Sequence, residues 1–152
     1  MAAAALIDTN ILVYRFDHRF PEKQAIATKL LRDGLRTDSV RIPHQALLEF
    51  MAAVTGVRIG AAPLLSQADA TRETEAFLDQ FRILYPSTTV VRTALRGAVT
   101  YQLPWFDAHL WAYAECHGIL ELISEDFEHG RLYGSVRARD PFLRTGGRTF
   151  SS

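Results

Sequence analysis

Four acidic residues occupy places where the surrounding sequence is apolar. Asp8 follows the run "AALI", Glu49 lies within "ALLEFMAAV", Asp107 within "WFDAHLWAYA" and Asp126 within "LISEDFE". A carboxylate in such a segment is costly unless it is paired, hydrogen-bonded or bound to a cation. Clustered carboxylates also raise one another's pKa unless a cation joins them. Mg²⁺ or Mn²⁺ suits an all-oxygen site and can activate water for attack on phosphorus.

Each of these acids, taken alone, has an ordinary structural interpretation. Asp8 and Asp107 fit the N-terminal cap of a helix, a position that Asp favours. Asp126 or Ser124 fits the cap of a single helical turn. Glu49 fits a buried ion pair or a partly exposed position, as well as a cation site. The argument for chemistry therefore depends on whether the fold brings the four acids together.

Short apolar segments alternate with helical patterns along the chain, which indicates β-α units and a mostly parallel sheet. We expect strands at 4–7, 39–42, 82–86, 119–124 and 135–140. We expect helices at 21–36, 44–59, 66–81, 88–101 and 107–117.

This arrangement predicts where two of the acidic segments lie. In open sheets of β-α units, ligands bind outside the carboxyl ends of the strands. Asp8 follows the first strand and Ser124-Glu125-Asp126 follows the fourth, so we expect both at the same edge of the sheet. On the helix that carries Glu49, helical spacing places Gln45 and the small residue Ala53 beside it.

The composition fits one globular domain. The chain has 152 residues, 48% of them hydrophobic and 22% charged, and its formal net charge is zero. Zero net charge argues against a protein that coats nucleic acid by electrostatics alone. The cations are 15 Arg and 2 Lys, and Arg suits bidentate contacts to phosphate. No apolar run reaches about 20 residues, and "MAAAALIDTN" has no basic n-region and too short an apolar stretch for a signal peptide, so we expect no membrane span and a cytoplasmic location.

Cysteine and histidine offer no further site in the sequence. Cys116 is the only cysteine, so we expect a buried structural thiol. His109 and His117 are eight residues apart without a third partner, and all five histidines are expected to be structural or on the surface. The last residues, 144–152, lack periodicity and are predicted to be a flexible tail.

Five motifs in order resemble the PIN-domain family, and most closely its VapC-type toxins. They are "LIDTNILVY", "ALLEF", "WFDAHLWAYA", "LISEDFEHG" and "VRARDPF". The resemblance covers residues 5–143 and implies a single domain over 1–143. It also implies a three-layer α/β/α fold with a short, mostly parallel sheet of four to five strands.

The resemblance implies roles for particular residues. Thr9 and Asn10 match the polar pair that supports the first acid, and Ser124 matches a hydroxyl residue within the acidic cluster. The fourth acid is Asp126 or Glu125, with Asp126 favoured because Phe127 then follows it. Catalytic and metal-binding roles fall on Asp8, Glu49, Asp107 and Asp126.

The resemblance further implies an Mg²⁺- or Mn²⁺-dependent endoribonuclease, typically a dimer, that a cognate antitoxin neutralises. Its RNA substrate could be tRNA, ribosomal RNA or mRNA, and the apolar segment 50–65 is a candidate surface for the dimer or antitoxin. Two other functions stay open. One is a non-catalytic module that binds RNA or protein. The other is a phosphatase with an Asp8 nucleophile, which Asn10 and the lack of a well-placed lysine disfavour.

Overall fold

The computed structural model describes residues 3–56, 61–144 and 148–149. The helices are α1 (Thr9–Tyr14), α2 (Pro21–Thr37), α3 (His44–Thr55), α4 (Gln67–Gln80), α5 (Thr88–Tyr101) and α6 (Trp105–Cys116). The strands are β1 (Ala5–Ile7), β2 (Val40–Pro43), β3 (Arg82–Leu84), β4 (Glu121–Ile123), β5 (Leu132–Tyr133), β6 (Val136–Arg139), β7 (Leu143–Arg144) and β8 (Arg148–Thr149).

Six strands form the central sheet in the order β3-β2-β1-β4-β6-β5. Every neighbouring pair is parallel except β5 and β6. The predicted mostly parallel sheet is confirmed, with one strand more than the expected four to five. The extra strand, β5, has only two residues and pairs with β6 through a turn at Gly134, whose φ is +61°. A strand this short shows no alternating pattern in the sequence.

The alternation of side chains along β1 divides the core into two layers. Ala5 and Ile7 pack into a cluster with residues of α1 to α4. Leu6 points the other way, into a cluster with residues of α5 and α6. Helices therefore cover both faces of the sheet, and the predicted three-layer α/β/α architecture is confirmed.

The direction of the chain reverses at β1. From β1 the chain moves outward through β2 to β3, then returns past β1 to β4 on its other side. The carboxyl ends of β1 and β4 thus meet at a topological switch point, where open α/β sheets bind ligands. Because α3 follows β2 and α6 precedes β4, both helices begin at this same edge of the sheet.

Helix boundaries follow recognisable caps. Pro21 occupies the first turn of α2, and the Ser66 hydroxyl accepts a hydrogen bond from the Asp69 amide at the start of α4. Gly118, with a φ of +66°, follows α6. Helix α3 ends at Thr55, earlier than expected, because Gly56 is extended. Residues 57–59 of that predicted helix lie outside the described residues.

Helix α5 buries a different face from the one that its large apolar residues suggest. Val90, Ala94 and Gly97 face the core. Val91, Leu95 and Val99, which share another face of the helix, are exposed, with Val99 81% exposed. The chain therefore presents an apolar stripe along α5, defined by Val91, Leu95 and Val99.

At the C-terminus, β7 and β8 pair with each other in antiparallel orientation, apart from the main sheet. Residues 145–147 and 150–152 of the predicted flexible tail lie outside the described part of the chain. No described helix combines the length and apolar character needed to cross a membrane. The predicted burial of Cys116 is only partial, and its thiol lies 3.2 Å from the Thr93 hydroxyl oxygen.

Candidate metal centre

Asp8 lies between β1 and α1 and is almost fully buried. Its carboxylate caps α1, accepting a hydrogen bond from the Thr9 amide at 2.6 Å. The Ser124 hydroxyl donates to the other carboxylate oxygen at 2.5 Å, and the Asn10 amide lies 3.4 Å from that oxygen. The capping role is therefore real, and it fixes the carboxylate at the switch point.

Asp107 lies in the first turn of α6, where a negative charge is favoured by the helix dipole. The helix begins at Trp105, after Pro104, so Asp107 is inside it. The prediction that Asp107 caps the helix is wrong, because the N-cap is Pro104, three residues earlier. An exposed aromatic pair, Trp105 and Phe106, opens this helix, and apolar periodicity gives no marker for a start there.

Asp126 lies on the loop after β4. Residues 124–128 contain no helical turn, so the capping alternative for Ser124 and Asp126 is wrong. Instead the Ser124 hydroxyl accepts from the Asp126 amide at 3.0 Å, and the Asn10 amide donates to the Asp126 carboxylate at 3.1 Å. Glu125, the other candidate for the fourth acid, pairs with Lys23 at 3.0 Å.

Three of the four predicted acids converge. One oxygen of each of Asp8, Asp107 and Asp126 lies within 4.8 Å of the others, the only such group among the residues described. Glu49 lies beside this group. One of its oxygens accepts hydrogen bonds from the Thr9 hydroxyl at 3.1 Å and from the Gln45 amide at 3.0 Å.

The converging carboxylates all have raised pKa values. Burial, with added repulsion from Asp126 and Asp107, raises the pKa of Asp8 to about 7 despite the hydrogen bonds from Ser124 and Thr9. Burial, then the charges of Asp126 and Glu49, raises the pKa of Asp107 to about 6. Burial also raises the pKa of Asp126, which a hydrogen bond from Asn10 lowers in part.

These properties fit a divalent cation. Asp8 is buried, Asp107 partly buried and Asp126 exposed, and three carboxylates at this separation either hold protons or share a positive charge. Their donor atoms are all oxygens, the ligands that Mg²⁺ and Mn²⁺ prefer, and no described histidine joins the group. Asp8, Asp107 and Asp126 would hold such an ion.

The carboxylates open into a cavity of about 360 Å³. Tyr14, Phe20 and Leu110 supply apolar and aromatic surface, and the Arg19 guanidinium lies on its wall. Two N–H groups of Arg19 bind the buried Asp17 carboxylate at 2.7 and 2.8 Å. A larger recess of about 510 Å³, between α2 and the amino ends of β1 and β2, contains no such group of acids.

Sequence reasoning missed several residues around this cavity. Gln45 is not one of these, because helical spacing already placed it beside Glu49 in the sequence. Arg19 and Lys23 gave no such indication, because their partners are set by the packing of α1, α2 and the loop after β4. Lys23 lies on α2, as expected, and it binds Glu125 and Tyr14, not Asp8.

The fold and its acidic centre define a class of protein, a doubly wound α/β domain with carboxylates at the switch point. The family model of the PIN domain matches residues 5–134. This protein therefore belongs to the PIN-domain family. No curated protein sequence matches the chain significantly.

Solved structures share this fold. A toxin–antitoxin complex from Klebsiella pneumoniae contains a chain with a TM-score of 0.63 and 23% identity, covering 91% of this chain and 98% of that one. DNA-bound VapBC from Salmonella typhimurium gives a TM-score of 0.66 with 14% identity, covering 92% and 99%. Mycobacterium tuberculosis VapC20, a toxin that cleaves the sarcin–ricin loop, gives 0.55 with 13% identity, covering 78% and 87%.

Proposed function

We propose that this protein is an endoribonuclease of the VapC toxin type that depends on Mg²⁺ or Mn²⁺ and acts on cytoplasmic RNA. The observation that carries the proposal is the convergence of Asp8, Asp107 and Asp126 in a cavity at the switch point. Membership of the PIN-domain family supports nuclease chemistry, and the similarity to toxins supports the toxin role.

In this proposal, the residues of the site have different roles in phosphodiester hydrolysis. Asp8, Asp107 and Asp126 would hold the divalent cation, which when bound makes a water molecule more acidic and neutralises charge on phosphate oxygens. Thr9, Asn10 and Ser124 fix two of these carboxylates through hydrogen bonds.

Glu49 keeps one carboxylate oxygen without a hydrogen bond to any described residue, since Thr9 and Gln45 both bind the other. It is therefore placed to accept a proton from water beside the cation. Arg19, on the cavity wall, has an N–H group left for a phosphate oxygen after its two bonds to Asp17.

The direct test is cleavage of end-labelled cellular RNA by the purified protein. Cleavage should stop in EDTA and return with Mg²⁺ or Mn²⁺, and Asp8→Asn should lower the rate by at least 100-fold. Asp33→Asn is the matched control, because Asp33 lies on α2 and pairs with Lys29 outside the cavity. Equal rates for Asp8→Asn and the wild type would refute the mechanism. Mapping RNA ends after induction in cells would identify the substrate as tRNA, ribosomal RNA or mRNA.

The same experiments separate the alternative functions. A non-catalytic module would bind RNA in EDTA and never cut it when a metal is added. A phosphatase would form a phosphorylated Asp8. Asn10, two residues after Asp8, donates to Asp8 and Asp126 and has no acidic proton to give, which disfavours this second alternative.

We also propose a cognate antitoxin and a homodimer. The solved structures of this fold from Klebsiella and Salmonella are complexes, which supports an antitoxin partner. The apolar stripe on α5 supports the dimer, because an exposed apolar surface favours burial against another chain. Light scattering should give a dimer for the wild type and a monomer for Leu95→Glu. The other candidate surface, 50–65, includes residues 57–60, which lie outside those described.

A further inference from the structure

A partly buried network of Lys23, Tyr14 and Glu125 lies beside the candidate metal centre. The Lys23 ammonium group donates to the Glu125 carboxylate at 3.0 Å and to the Tyr14 hydroxyl at 3.2 Å. The Tyr14 hydroxyl donates to the other Glu125 oxygen at 2.6 Å. The three side chains form a closed triangle that joins α1, α2 and the loop after β4.

The surroundings of Lys23 are unusual for a lysine. Its ammonium lies 4.9 Å from the ring centre of Tyr14, 5.8 Å from that of Phe20 and 5.6 Å from that of Phe142. Its side chain is 11% exposed, whereas that of Lys29, the chain's other lysine, is 70% exposed.

An ion pair that is largely removed from water, as Lys23 and Glu125 are, seldom adds much net stability, because the lost hydration offsets the attraction of the two charges. The compact Lys23 ammonium donates to Glu125 and Tyr14 at once while it lies among three aromatic rings. The use of lysine here, in a chain with 15 arginines, therefore indicates a geometric role.

The network holds the loop that presents Asp126. Asp8 is fixed by capping α1, and Asp107 lies within α6. Asp126 alone of the three acids lies on a loop, and loops are more mobile than the elements they join. Its neighbour Glu125 has both carboxylate oxygens bound within the triangle, which restricts the backbone on the N-terminal side of Asp126.

We propose that Lys23 is a positioning residue that, through Glu125 and Tyr14, holds the Asp126 carboxylate in place for the divalent cation and so sets the metal affinity of the site. The inference rests on the proposed function, because it assumes that Asp126 is a metal ligand. Residues behind the ligands of metal sites typically change metal affinity by about 10- to 100-fold when they are altered.

The test is a direct titration of the full chain with Mn²⁺, in which electron paramagnetic resonance measures the free ion at each step. Lys23→Met should weaken Mn²⁺ binding about tenfold. This is the lower end of the 10- to 100-fold range, because Lys23 acts through Glu125. The Mn²⁺ concentration for half-maximal RNA cleavage should rise by the same factor, while kcat at saturating Mn²⁺ returns to near the wild-type value. Lys29→Met, on the same helix, should leave both quantities unchanged.

A second variant keeps the test decisive if Lys23→Met fails to fold. Tyr14→Phe removes one hydroxyl and retains the ion pair, so it should fold and bind Mn²⁺ several-fold more weakly. Wild-type Mn²⁺ affinity in a folded Lys23→Met, or in Tyr14→Phe where Lys23→Met is unfolded, would overturn the inference and leave the proposed function standing. A wild-type chain that binds no Mn²⁺ would overturn both.

Discussion

The Ser124 hydroxyl lowers the pKa of Asp8 and so opposes the effect of burial, which raises it. Its hydrogen bond, at 2.5 Å, lowers a pKa that burial raises to about 7. Ser124→Ala removes that bond, so the carboxylate should take up a proton more readily. A hydrogen bond to a charged group contributes about 1.5–3 kcal/mol, so the pKa of Asp8 should rise by about one unit or more.

The measurement is the pH dependence of kcat/KM for RNA cleavage. The acidic limb of the profile should move to higher pH in Ser124→Ala, with lower activity at pH 7. Ser135→Ala is the control, because the Ser135 hydroxyl donates to Glu115 rather than to any of the three acids. An acidic limb that stays at the wild-type position would show that Ser124 does not tune Asp8.

Arg19 gives a second prediction at the scale of one residue. If its guanidinium binds a phosphate of the RNA, Arg19→Gln should raise KM several-fold with little change in kcat. The slope of log(kcat/KM) against log salt concentration should become shallower by about 0.7, the value for one phosphate contact on a single strand.

Arg82→Gln is the matched control for Arg19. Arg82 also pairs with an aspartate, Asp38, but lies outside the cavity lining. Since Arg19→Gln leaves the buried Asp17 with one partner fewer, a thermal melt should accompany the kinetics. An unchanged salt dependence in a folded Arg19→Gln would rule out the phosphate contact.

At the scale of elements, the position of Asp107 depends on how closely α5 approaches α6. A β-carbon at Gly97 would overlap the ring of Trp111 on α6. Gly97→Ala should therefore push the helices apart and cost about 1–3 kcal/mol of unfolding free energy, since overpacking a core outweighs the better helix propensity of alanine.

Urea denaturation would measure this cost. Arg92→Ala is the control on the same helix, because the Arg92 side chain is exposed and is not part of the apolar stripe. It should change the unfolding free energy by less than about 0.5 kcal/mol. A Gly97→Ala protein as stable as the wild type would show that α5 and α6 separate without penalty.

The elements also show how far the sequence alone could lead. The buried strands β1 and β4 appear as apolar runs, and the parallel topology then brings Asp8 and Asp126 to one edge of the sheet. Glu49 lies outside the three-acid group, where Thr9 and Gln45 bind it. Helical spacing indicates the contact with Gln45, but the contact with Thr9 spans 40 residues and has no periodic pattern. The pairing of Lys23 with Glu125 spans 102 residues, so only the packed fold shows it.

At the scale of the whole molecule, the raised pKa values make the stability of the metal-free protein depend on pH. Asp8 titrates near pH 7 and Asp107 near pH 6 when folded, against 3.8 for the ordinary side chain. Between these limits the folded state binds more protons than the unfolded state. The contribution of protonated Asp8 and Asp107 to the free energy of unfolding is therefore fully present below about pH 4. It is lost as the pH rises through 6 and 7.

Thermal unfolding in EDTA tests this predicted loss of stability with rising pH. The unfolding midpoint temperature of the wild type should decrease as the pH is raised from 5 to 8, by an amount on the order of several degrees. In Asp8→Asn the fall should be smaller, because the amide does not titrate. An equal fall in both proteins would assign the pH dependence to other groups.

A divalent cation should reverse that loss, because it replaces the protons that the carboxylates give up. Metal binding requires ionised ligands, so Mn²⁺ should raise the unfolding midpoint strongly at pH 8 and little at pH 5. The protein would then be stabilised by protons on the acidic side and by the cation on the basic side. Asp8→Asn should lose most of the gain at pH 8, whereas Asp33→Asn, altered outside the cavity, should keep it. A gain of equal size at both pH values would mean that Mn²⁺ binds somewhere other than these three carboxylates.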